Sequence, residues 1–114
     1  TALITRNSRA CVDIVLNLHR LNFDAIYSRD NAPPKPDPTA LLNACKFFNQ
    51  PIENCWMIGD SFHDIDAARA CDMKSIWLQH DNTEVPKNPP WRVVRSLEEL
   101  TNLLISSLNP KTTV

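Results

Sequence analysis

An apolar run that stops at a carboxylate, CWMIG followed by Asp60, constrains this chain more than any other stretch of its sequence. A run this short, bounded by small and acidic residues, reads as a buried strand. The residues that follow, SFHDIDAARA, change to a helical pattern with Ile65 and Ala68 on its apolar side. The spacing places Asp60 and Asp64 one helical turn apart, where a sheet strand ends and a helix begins. Carboxylate oxygens presented there suit Mg²⁺ and phosphate chemistry.

The same alternation runs along the rest of the chain. ALIT (2–5) leads through the turn-prone TRNS to a helix capped by Ser8, with Cys11, Ile14, Val15 and Leu18 forming one face. AIYS (25–28) precedes the Pro-rich loop DNAPPKPDP and a helix whose inward face is Leu41, Ala44, Cys45 and Phe48. Pro36 and Pro38 suit that loop and the start of the helix, not a helix interior. KSIWL (74–78) is a further strand, and HDNTEVPKNPP connects it to a short edge strand, WRVV (91–94). Ser96 and Glu99 then predict a capping box for a helix using Leu97, Leu100, Leu103 and Leu104. Strands alternating with helices imply an α/β fold with a mostly parallel sheet, covered on both faces and binding ligands at the carboxyl ends of its strands.

With 114 residues, 43% of them apolar, the chain suits one core domain over 1–108 and a short tail over 109–114. A net charge of −1 with scattered Lys and Arg gives no field to gather a nucleic acid. No stretch reaches the length of a membrane span, and no charged lead with an apolar segment marks export. Cys11, Cys45, Cys55 and Cys71 are far apart in sequence and lack zinc-site spacing, so they read as small buried side chains, reduced in a cytoplasmic compartment. The apolar run Ala2-Leu3-Ile4 starts at once, which suggests the interior of a longer protein.

Several residues at strand exits carry possible chemistry, each beside a plainer reading. Thr5 could offer its hydroxyl, with the N–H groups of Arg6 and Asn7, to a phosphoryl oxygen, or could simply be a turn residue. Lys35, held between prolines, could set an ammonium against a carboxylate and a phosphate, or be solvated. Asp64 could ligate Mg²⁺ directly or through water, orient the loop, or lie on a helix surface. Arg6 and Arg29 could meet substrate anions, whereas Asp66 reads as solvated. His63 needs no role as a base, and His19 and His80 lack any paired context. Trp56, Trp77 and Phe62 read as core or wall residues.

Together these pieces resemble the haloacid dehalogenase superfamily of hydrolases, in particular its phosphoglycolate-phosphatase-like branch. ALITRNS is similar to the second motif of that family, KPDPTALLNA to the third and GDSFHDIDAARA to the fourth, a match covering residues 2–104. The resemblance implies a three-layer Rossmann-like core, Thr5 as phosphate-binding hydroxyl, and Lys35 as the lysine steadying nucleophile and phosphate. It also implies Asp60 as a Mg²⁺ ligand, with Asp64 supporting the metal site. The implied reaction is hydrolysis of a small phosphorylated metabolite through an aspartyl-phosphate. ARACDM departs from the family outline, because Cys71 stands where relatives often have glycine.

The first motif, a strand followed by Asp-x-Asp, is missing. Asp64 and Asp66 spell that pattern but lie inside the helix after the fourth motif. In the family the first strand is central, between the counterparts of ALIT and CWMIG. The expectation is therefore a partial core that lacks its central strand and any cap, and that is inactive alone. An upstream segment or self-association would fill the gap, unless ALIT and CWMIG pair directly. The rival enzyme is a 2-haloacid dehalogenase, disfavoured by the Asp60 and Asp64 pair, and the alternative of another class is a noncatalytic phosphate- or metal-binding domain completed by a partner. The leaving group stays open among phosphoglycolate, a sugar phosphate and a nucleotide monophosphate, because caps select it.

Overall fold

Five short strands and four helices form wherever an apolar run meets a polar turn. A computed structural model describes residues 1–80 and 87–108. Strand β1 (Ala2–Ile4) leads to α1 (Arg9–His19), and β2 (Ala25–Tyr27) to α2 (Thr39–Phe47). A 3₁₀ turn (Ile52–Asn54) introduces β3 (Trp56–Gly59), followed by α3 (Phe62–Ala70), β4 (Lys74–Leu78), β5 (Arg92–Val94) and α4 (Leu97–Leu108). The expected tail over 109–114 lies outside the described residues, as does part of the connection between β4 and β5.

Side-chain caps explain the helix starts. Ser8 accepts from Cys11 N–H at 3.3 Å, and Asp37 accepts from Thr39 N–H at 2.8 Å, one residue earlier than the formal cap Pro38. At α4 the Ser96 hydroxyl accepts from Glu99 N–H at 3.1 Å, while the Glu99 carboxylate reaches past Ser96 to Arg95 N–H at 2.8 Å. Helices α1, α2 and α3 are each followed by a left-handed non-glycine residue, Arg20 (φ 53°), Asn49 (φ 52°) and Asp72 (φ 59°). Cys71, where relatives of the resembled family often have glycine, itself has φ −117°, and the left-handed position falls on Asp72 instead.

Every strand pairing is parallel, as the βαβ alternation demands. Ala2 to Ile4 pair in register with Ala25 to Tyr27, forming one sheet. Trp56 to Gly59 pair with Lys74 to Trp77, and β4 pairs with β5 on its other side, forming a second. Among the described residues no ladder joins β1 to β3, so the sheets stand apart as β1-β2 and β3-β4-β5. Direct pairing of ALIT with CWMIG, the rearrangement held open from the sequence, does not occur.

One core nevertheless spans both sheets. Leu41 and Cys45 of α2 meet Met57 of β3, Ala67 and Ala68 of α3 and Met73, with Ile4 of β1 packed against them. Between the facing edges runs a groove of about 480 Å³, lined by Ala2, Leu3 and Ile4 on one side and Trp56 to Gly59 on the other. Ile58, in the middle of β3, remains 37% exposed.

Several sequence expectations are corrected here. The α1 face of Cys11, Ile14, Val15 and Leu18 does not point into the core: Ile14 is 67% and Leu18 73% exposed, and Val12 is the buried residue of that helix. Periodicity identifies a stripe that can be covered, not whether anything covers it. Phe62 is likewise exposed, because it begins α3 on the loop side. Trp77 is buried as expected, while Trp56 leans on Trp91 with ring centres 5.0 Å apart.

Candidate functional site

Parallel strands end together, and the polar residues singled out in the sequence gather where β1 and β3 end. Lys35 comes in on the Pro-rich loop before α2, and its Nζ donates to Ile4 O at 3.1 Å and to Asp64 Oδ1. Their side chains are only 10% and 6% exposed. One ammonium therefore ties the end of the first sheet to the helix that follows the second. An ammonium carries three N–H donors, so one remains for a phosphoryl oxygen.

Asp64 is fixed by more than Lys35. It is the third residue of α3, and its Oδ2 accepts from Ser61 N–H at 3.2 Å, completing a reciprocal capping box with the Ser61 hydroxyl. The carboxylate lies against the α-carbon of Gly59, where any Cβ would collide with it. Close approach, not an unusual backbone angle, is what calls for glycine here.

Asp60 differs from Asp64 in every respect that matters to ligands. It precedes the helix cap, its side chain is 59% exposed, and its Oδ2 lies 3.2 Å from His80 Nε2 beyond the end of β4. His80, read from the sequence as lacking a paired context, is thus brought to Asp60 by the pairing of β3 with β4. Adjacent strand exits in a parallel sheet were the available signal.

Thr5, Arg6 and Asn7 follow directly on Ile4. Thr5 N–H donates to Tyr27 O at 2.9 Å, and Thr5 Oγ1 accepts from Asn7 N–H at 3.1 Å. As an acceptor there, the hydroxyl keeps its hydrogen for another oxygen. Arg6 and Asn7 are exposed, and Asn7 O accepts from Arg29 N–H at 3.2 Å, which ties the two loops together. Lys35, Asp60 and Asp64 line the inter-sheet groove at its polar end, whereas Thr5, Arg6 and Asn7 lie just beyond it.

The other titratable residues find ordinary partners. His63 N–H donates to Ser61 Oγ at 3.2 Å, and its ring packs on Phe62 with centres 5.0 Å apart. Asp66, expected to be solvated, accepts from Asn88 Nδ2 at 3.2 Å and so fastens the segment before β5 to α3.

The carboxylates here offer Mg²⁺ an incomplete set of donors. Asp60 presents an accessible carboxylate, but both oxygens of Asp64 are already engaged by Lys35 and Ser61. Among the described residues no three His, Cys, Asp or Glu side chains converge as a cation site. These residues fit one ligand of a hard, oxygen-coordinated ion and not a closed shell.

The haloacid dehalogenase-like hydrolase family matches residues 1–78. This chain belongs to that family. It is 36% identical over 86 residues to a phosphoglycolate phosphatase of Nitrosococcus oceani, a match covering 72% of this chain and 38% of that protein. A phosphoglycolate phosphatase of Nitrosospira multiformis is 34% identical over 89 residues, covering 75% of this chain and 39% of the relative. The chain thus spans well under half the length of these curated relatives. The crystal structure of a hydrolase from Pseudomonas syringae superposes with a TM-score of 0.74 at 30% identity, over 88% of this chain and 48% of that one. The α/β architecture with parallel strands is therefore a partial Rossmann-like core of the haloacid dehalogenase type.

Proposed function

We propose that this chain is the phosphate-handling part of a phosphatase that hydrolyses a small phosphate monoester through an aspartyl-phosphate, and that the nucleophilic aspartate comes from a strand seated between β1 and β3. One observation carries the reading. Lys35 sits buried between Ile4 O and Asp64 at the polar end of a groove bounded by two open strand edges.

An extended segment in that groove would pair with both edges and deliver its last side chain beside Lys35. A carboxylate there attacks phosphorus, the alcohol leaves with a proton from a nearby acid, and water then cleaves the acyl phosphate. Lys35 offsets charge on the transferring group, held in place by Asp64, while the Thr5 hydroxyl and the loop at Arg6 and Asn7 receive a phosphoryl oxygen. Asp60, with its exposed carboxylate, would be the residue of this chain that holds Mg²⁺. When bound, the ion supplies charge neutralisation at the phosphoryl group. Among the described residues no helix is long and apolar enough to cross a membrane.

The engagement of Asp64 and the incomplete cation shell favour, as a second reading, a noncatalytic domain that binds phosphate only when a partner completes it. One experiment separates the two. The chain is mixed with a synthetic apolar strand ending in Asp-x-Asp, and hydrolysis of an aryl phosphate is followed with and without Mg²⁺. The phosphatase reading expects turnover that needs peptide and Mg²⁺ and disappears in Lys35→Met. Peptide binding without turnover would support the noncatalytic domain instead.

A further inference from the structure

Three cysteines remote in sequence come together near the start of β3, away from the strand ends that hold Lys35 and Asp60. Cys45 belongs to the core beside Leu41 and Met57, and Cys55 and Cys71 pack against it. The sequence reading had left them as isolated side chains, since separations of this size carry no pairing signal. The three thiols are not equivalent. Cys71 Sγ lies 3.5 Å from both Ala67 O and Ala68 O, at the end of its own helix. Cys45 and Cys55 instead line one cavity of about 360 Å³, with Gln50 and Asn54 at its polar edge.

Within that pair one thiol is hidden and one is reachable. Cys45 is 5% exposed, whereas Cys55 is half-buried. Burial first, and then the Cys55 thiol beside it, push the Cys45 thiol up to about 12 from an ordinary 9.0. The two thiols thus border one space from two different elements, Cys45 from α2 and Cys55 from the residue before β3.

We propose that Cys45 and Cys55 form an oxidisable dithiol, a modification site for a peroxide, which closes to a disulfide joining α2 to the residue before β3. The steps balance. The Cys55 thiolate attacks one peroxide oxygen, the O–O bond breaks, water leaves, and Cys55 becomes a sulfenic acid. The Cys45 sulfur then attacks the Cys55 sulfur, the S–O bond breaks, and the departing hydroxide takes the Cys45 proton as a second water. Two thiols and one hydrogen peroxide give one disulfide and two waters. The accessible thiol reacts first because a buried one is poorly ionised, and the hidden one resolves it. The bond would fasten α2, which follows the Lys35 loop, to the strand that ends beside Asp60. The inference stands on the thiols alone and is independent of the phosphatase reading.

The chain makes the test direct, because Arg and Lys positions place Cys11, Cys45, Cys55 and Cys71 on four different tryptic peptides. The protein is treated with hydrogen peroxide, its remaining thiols are alkylated, and it is digested without reduction. The expected product joins peptide 30–46 to peptide 47–69, is lost on reduction, and lowers the intact mass by two hydrogens. In Cys45→Ser, dimedone should label Cys55 as a trapped sulfenic acid. Links through Cys11 or Cys71, higher oxidation of Cys55 without a link in the unsubstituted protein, or four thiols that stay reduced would each overturn the proposal. The unsubstituted protein gives the decisive map, so a variant that folds poorly does not obscure the answer.

Discussion

Gly59 is the only glycine among 114 residues, and it stands where the Asp64 carboxylate needs the space of a Cβ. Gly59→Ala should therefore displace Asp64, and with it Lys35, at a cost of about 1–3 kcal/mol for the overpacked contact. Urea unfolding would report the loss as a lower midpoint. The pair itself offers a sharper test. Lys35→Met leaves a buried carboxylate without its cation and should cost about 3–5 kcal/mol. Adding Asp64→Leu in the same protein should restore most of that stability while leaving any phosphatase activity absent. If the double variant is as unstable as the single one, the pair contributes more than mutual neutralisation. Asp60 and Asp64 were legible in the sequence as carboxylates after a strand. Their different duties were not, because those depend on Lys35 arriving from 29 residues away and on His80 from the neighbouring strand.

Among the elements, the strands were easiest to read and the helix faces hardest. KSIWL forms β4 over all five residues, since a short apolar run with turn signals at each end has few alternatives. Helix α1 shows the limit. Its periodic stripe from Cys11 to Leu18 is real as a pattern, yet the residue the helix buries is Val12. Helix endings supply a second test. Arg20 is left-handed without being glycine, which disfavours it by roughly 1 kcal/mol. Arg20→Gly should raise the thermal midpoint, provided Arg20 N–H keeps its bond to Leu16 O. At the start of α2, the Thr39 hydroxyl and then its N–H hold the Asp37 carboxyl below its ordinary 3.8. A depressed carboxyl stabilises the helix start above 3.8 and ceases to do so as pH falls through its lowered value. Protection of the Thr39 and Ala40 amides, measured relative to their intrinsic exchange rates, should fall as the pH drops below 3.8 while the α3 amides stay protected.

For the molecule as a whole, the expected gap is present: β1-β2 and β3-β4-β5 are joined through α2 and α3 and not through a ladder. That arrangement was expected from the resemblance of the three motifs to the haloacid dehalogenase fold, in which the counterparts of ALIT and CWMIG flank a further strand; strand patterns alone do not say which strands are neighbours. Open strand edges ordinarily invite sheets of other molecules to add to them, and so promote aggregation. Here the inner edges of β1 and β3 face each other across a groove of about 480 Å³. On the proposed reading, an extended segment in the groove gains pairing partners on both sides at once, whereas a second sheet meeting one edge gains them on one side alone, so the opening favours a single inserted strand over edge-to-edge stacking of copies.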